Sequence, residues 1–115
     1  MSDLSMLING LSVTAEKGAT FERRNPLDGS VATRAPAASV TDAVKAADAA
    51  AQAFKTWSQT GPGERRALLL KAADALEAKT PQFIEAVGAE TGATGMWAGF
   101  NVHLAAGMLR EAASL

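Results

Sequence analysis

Residues 39–58, SVTDAVKAADAAAQAFKTWS, decide what kind of fold this chain can build. Ser39 can cap a helix, and Asp42 three residues on can reach back to it. This capping-box arrangement satisfies backbone donors that a first helical turn leaves open. Val40, Ala43, Val44, Ala47, Ala50, Ala51, Phe54 and Trp57 recur at three- and four-residue spacing and define one apolar stripe. Asp42, Lys45, Asp48, Gln52 and Lys55 lie away from it. The spacing predicts an amphipathic helix running to about Ser58, packed on one face and wet on the other.

Upstream of this helix the period is two. Met6-Leu7-Ile8 and Leu11-Ser12-Val13 flank Asn9-Gly10, whose residues accept the positive φ angles of a type I′ hairpin turn. Phe21 to Arg24 and Ser30 to Arg34 form a second expected hairpin, joined through Pro26-Leu27-Asp28-Gly29, where Pro26 presets φ and Gly29 tolerates a left-handed backbone. Downstream, Gly61-Pro62-Gly63 interrupts the chain, and Pro62 suits a first helical position. A second helix is expected to reach Lys79. Thr80-Pro81 reads as a cap and proline opening a third helix that buries Phe83, Ile84 and Val87 and stops before Gly92. The last segment carries Trp97, Phe100, Val102, Leu104, Met108 and Leu109, too widely spread for one stripe, so that helix expects protein on most sides. The expected division is residues 1–36 as a β-hairpin region and 37–115 as a helical region.

A chain of 115 residues suits one domain or a piece of one. Twenty-six of those residues are alanine, which favours helices and buries little area, so the chain is expected to have been cut from something larger. The formal net charge is -1 and Lys and Arg are dispersed, which excludes the basic footprint of a nucleic-acid binder. No run approaches the length needed to span a bilayer, and the first residues lack a basic and a long apolar region, so a cytoplasmic location is expected. With no cysteine there is no disulfide, thiolate ligand or thiol nucleophile in this sequence.

Little else in the chain promises chemistry. His103 is the sole histidine and falls with Ala106, Gly107 and Arg110 on helical spacing, a small and polar face that suits a structural or solvated role. Asp42, Asp48, Glu64, Asp74, Glu77 and Glu85 read as outer helix faces in water. No metal-ligand set assembles from one histidine and scattered carboxylates. Gly88 to Gly95 is glycine-rich without the dinucleotide or Walker pattern, so these glycines read as a helix stop and a loop. Catalytic, cofactor-binding and metal residues are therefore expected to be absent. Trp97 and Phe100, three residues apart, remain as the one grouping of aromatics that could face a ligand.

Four marks occur in order along the chain: Asn25-Pro26-Leu27-Asp28-Gly29, Trp57-Ser58, Glu64-Arg65 with Leu68-Leu69-Leu70, and Glu90-Thr91-Gly92. Their order and spacing resemble the N-terminal stretch of the NAD(P)-dependent aldehyde dehydrogenases, and the likeness covers nearly the whole chain from Ile8. That family usually continues Glu-Thr-Gly with Lys-Pro. Here Ala93-Thr94 follows, and with Trp97 to Val102 this is most similar to the branch that oxidises aromatic aldehydes such as salicylaldehyde and vanillin.

The resemblance implies an α/β fold in which N-terminal β-hairpins precede the outer helices of a Rossmann-like coenzyme-binding domain, incomplete in this chain. It implies a full-length homo-oligomer that uses NAD or NADP to turn an aldehyde into a carboxylate through a cysteine thioester. The family's cysteine, its glutamate and its oxyanion-hole asparagine would lie beyond Leu115, so none is carried over and the chain alone is expected to be inactive and to bind no coenzyme. The resemblance also places the last helix near the aldehyde entrance, making Trp97 a substrate-stacking candidate with Phe100 supporting it. The alternative from the residues alone is a non-catalytic helical interaction module.

Overall fold

In the computed structural model, which describes residues 2–115, the chain opens with β1 (Ser2–Asp3), β2 (Met6–Ile8) and β3 (Leu11–Val13). Asn9 and Gly10 take φ values of 53° and 74°, the paired left-handed conformation of a type I′ turn. They close β2 onto β3 with Ile8 opposite Leu11, as the sequence predicts. A single 3₁₀ turn at Glu16–Gly18 then leads into β4 (Thr20–Arg24) and β5 (Val31–Pro36), the second hairpin.

The turn between β4 and β5 is held by its own short side chains. Asn25 Oδ1 accepts from the Leu27 N–H at 2.9 Å, and Asp28 Oδ1 accepts from the Ser30 N–H at 2.9 Å and the Ser30 hydroxyl at 2.6 Å. Gly29 supplies φ 74° there. The Ser30 contacts hold the Asp28 carboxyl below the usual carboxylate range. One strand escapes the sequence reading: β1 pairs in parallel with β5, giving the order β1-β5-β4. Two residues are too few to show a period of two.

Helix α1 spans Val40–Trp57 and begins with the expected capping box. Ser39 Oγ accepts from the Asp42 N–H at 3.1 Å, and Asp42 Oδ2 accepts from the Ser39 N–H at 3.0 Å. The expectation that Asp42 sits on a wet face is overturned, because only 4% of it is exposed. The same carboxylate oxygen also accepts from the Glu16 N–H at 2.9 Å, so one side chain ties the 3₁₀ turn to the helix start. The backbone donors of Glu16 and then Ser39 outweigh the effect of burial and hold Asp42 below the usual carboxylate range. The expectation of a packed apolar face on α1 is corrected too: Val40 is 83% and Phe54 63% exposed, because these described residues supply little to cover them.

Helices α2 (Pro62–Ala78), α3 (Thr80–Thr91) and α4 (Gly95–Ser114) follow. Pro62 takes the first position of α2 as predicted. Thr80 does not cap α3. It is already helical, its hydroxyl donates to the Glu77 carbonyl at 2.6 Å, and Lys79 is the flanking residue. Helix α3 starts one residue earlier than the motif suggests, so Thr80 lies inside it and Lys79 holds the capping position, with no side-chain cap bond. Of the three residues expected to be buried on α3, Ile84 and Val87 are half-buried and Phe83 is exposed.

The switch from strand to helix falls between Pro36 and Val40. By compactness the chain forms two units, one running to Gln59 and one from Thr60 to Leu115. In the helical unit, Ala73 and Ala106 are fully buried, joined by Ala98, Val102 and Ala113. These residues let α2 and α4 approach closely with little volume between them. Arg110 clamps the pair from the edge: it donates to Glu77 at 3.1 and 2.7 Å and to Asp74 at 3.0 Å. Among the described residues no helix is long and apolar enough to cross a membrane.

Candidate functional site

The candidate site is the outer face of α4, and its start is set by backbone chemistry. Gly92 ends α3 in the left-handed conformation, at φ 71°. Thr94 then caps α4, its hydroxyl accepting from the Trp97 N–H at 3.2 Å. A Cβ on Gly95 would stand 3.3 Å from Ile84 Cγ2, and one on Gly99 3.6 Å from Ile84 Cδ1. These glycines therefore serve the approach of α4 to α3. A pyrophosphate cradle would need a glycine-rich turn between a strand and a helix, and here the glycines lie between two helices. Gly88 to Gly95 therefore does not form a cradle of that kind.

With Ala98, Val102, Ala106 and Ala113 buried, helical geometry puts the large side chains on the opposite side. The apolar residues of this segment form two opposed stripes, which explains why one stripe could not hold them. Trp97 is 59% and Phe100 52% exposed, and their rings stack with centroids 5.9 Å apart and planes inclined by 30°. The structure thus brings the two sequence candidates together, offset-stacked as aromatic quadrupoles favour. Leu104 and Met108 continue the stripe and line a shallow groove of about 480 Å³ with Leu115.

His103 lies outside this stripe, largely in water, with Nδ1 3.4 Å from Glu77 Oε1. Asp74, read from sequence as solvated, is exposed and also pairs with Arg110, while Glu77, read the same way, is only half-exposed and is the second partner of Arg110. Hydrogen bonds from Arg110 hold Glu77 below the usual carboxylate range, and Glu77 and then Asp74 push the Arg110 guanidinium upward. Their spacing along α2 gave no hint of this, since the partner sits over thirty residues away. Asn101 was also missed. Its amide Nδ2 donates to the Trp97 carbonyl at 2.8 Å, and the legible signal was its place four residues after Trp97.

Fold and surface define a class before they define a reaction: short hairpins followed by helices, with an aromatic face left open. Residues 13–115 match the aldehyde dehydrogenase family, and the chain belongs to it. Salicylaldehyde dehydrogenase of Pseudomonas putida is 54% identical over 110 residues, covering 96% of this chain and 23% of that protein. Vanillin dehydrogenase of Pseudomonas fluorescens is 55% identical over 115 residues, covering all of this chain and 24% of the relative. The crystal structure of a salicylaldehyde dehydrogenase from Pseudomonas putida G7 complexed with salicylaldehyde superposes with a TM-score of 0.93 at 51% identity. The match covers 100% of this chain and 24% of that one, and it falls on the N-terminal part of the enzyme fold. The chain thus spans about a quarter of the length of the relatives it matches.

Proposed function

We propose that this chain contributes the N-terminal quarter of an NAD(P)-dependent dehydrogenase that oxidises an aromatic aldehyde to its carboxylate. The observation that carries the substrate class is the stacked, exposed Trp97–Phe100 pair. The names of the relatives at 54% and 55% identity support it. Trp97 offers its ring to the aldehyde's ring, and Phe100 holds the indole in place. NAD or NADP accepts the hydride when bound, held by residues outside this sequence, and the 115 residues alone carry out no turnover. We read residues 1–36 as the hairpin region and 37–115 as the first helices of the coenzyme-binding domain. The whole protein is read as a cytoplasmic homo-oligomer on the strength of the family likeness.

The test is steady-state kinetics on the full gene product with NAD and NADP, comparing aromatic and aliphatic aldehydes. Trp97→Ala is expected to lower kcat/KM for aromatic aldehydes about threefold to tenfold more than for aliphatic ones, the range set by an aromatic pair. An equal loss on both would leave Trp97 with a packing role only. The intact mass of the native product decides the larger question. A protein several times heavier supports the dehydrogenase, and one ending at Leu115 would favour the interaction module.

A further inference from the structure

On the exposed stripe of α4, Asn101 is the polar residue beside the indole. It follows Trp97 by four residues and Phe100 by one, so helical geometry sets Phe100 and Asn101 on either side of the Trp97 position. Its side chain is exposed, yet its amide is not free to turn, because Nδ2 donates to the Trp97 carbonyl at 2.8 Å. That bond uses one of the two N–H donors and fixes which end of the amide faces the backbone, so Oδ1 is the acceptor end left to a ligand. Among the described residues Oδ1 accepts no hydrogen bond. A carbonyl oxygen has two lone pairs and no proton, so it recognises only donors. A ring lying on Trp97 would take water away from this oxygen, and an acceptor that loses water without gaining a donor is costly.

We propose that Asn101 is a specificity residue that favours aromatic aldehydes bearing a ring hydroxyl, by accepting that hydroxyl's hydrogen bond through Oδ1 beside Trp97. A phenolic O–H supplies the missing donor, and an unsubstituted ring cannot. Sites with an oriented acceptor of this kind discriminate by penalising the substrate that lacks the partner group. The inference rests on the reading of Trp97 as the stacking residue.

The experiment measures kcat/KM for the three monohydroxybenzaldehydes and for benzaldehyde on the full-length enzyme, in wild type, Asn101→Ala, Asn101→Leu and Trp97→Ala. Wild type is expected to prefer at least one hydroxy isomer over benzaldehyde. In both Asn101 variants that ratio is expected to fall about fivefold to tenfold, the worth of one hydrogen bond. Two variants are used so that a helix-specific effect of either replacement shows as a disagreement in thermal unfolding. A folded pair of variants that keeps the wild-type ratio for all three isomers overturns the proposal. If Trp97→Ala still lowers aromatic relative to aliphatic turnover in that case, only Asn101 is misassigned. If Trp97→Ala leaves that preference intact, the stacking reading fails and this inference falls with it.

Discussion

The strand-rich unit up to Gln59 and the helical unit from Thr60 are held by different kinds of interaction. In the first, order comes from short polar side chains answering nearby backbone groups, as at Asn9-Gly10, Asn25 to Ser30 and the Ser39–Asp42 box. In the second, it comes from alanines and glycines that bring distant helices together and from Arg110 reaching back to Glu77 and Asp74. Polar side chains answering backbone groups dominate one unit, and volume dominates the other. Substitutions should therefore fail for different reasons in each.

The largest expected effect is on volume. Ala106 is fully buried, so Ala106→Leu should destabilise the helical unit by about 1–3 kcal/mol through overpacking. Hydrogen exchange on the full protein should show faster exchange in α2 and α4 with the β4–β5 hairpin unmoved, and equal loosening of both would break the contrast. Next comes backbone strain: Gly29→Ala, at φ 74°, should cost about 1–2 kcal/mol in the hairpin. Gly63→Ala, where φ is ordinary and an added Cβ meets nothing, is the control that should cost far less in the same exchange measurement.

Ser39→Ala removes the cap of α1 and should cost about 1 kcal/mol, read as fraying of the amides at 40–43. The smallest signal is a pH effect. Because the folded-state pKa of Asp42 is lowered, its contribution is complete above the unfolded carboxylate value near about 4 and is lost as pH falls through the folded one. Asp42→Asn should flatten that acid limb of the stability curve, measured by thermal unfolding across the acid range, and leave the neutral limb with the same slope. An unchanged acid limb would show that the Glu16 and Ser39 donors do not hold the carboxylate in solution.

The places where the sequence was legible share a property. Asn9-Gly10, Gly29, Pro62 and the capping box each state a backbone requirement within four residues, so the reading needed no partner. The failures are of another sort. Asp42 looked solvated because its third donor, the Glu16 N–H, arrives from 26 residues upstream. Thr80 looked like a cap because the motif is right, but the helix begins at Thr80 itself and Lys79 flanks it. For the candidate site, the spacing of Trp97 and Phe100 made their neighbourhood visible. Their stacking and exposure depended on which side of α4 faces Ile84, Ala73 and their neighbours.

By itself the sequence determined the two hairpin turns, the capping box of α1, the proline that opens α2 and the family likeness, because these are written in adjacent residues and their periods. Only the tertiary structure decided that α4 buries its small residues and leaves its aromatics outward, and that Arg110 joins α2 to α4. The physical reason is that close packing is a property of two surfaces at once. A stripe of alanines and a stripe of aromatics on one helix are equally periodic, and which of them is covered depends on the volume that a neighbouring helix leaves to fill.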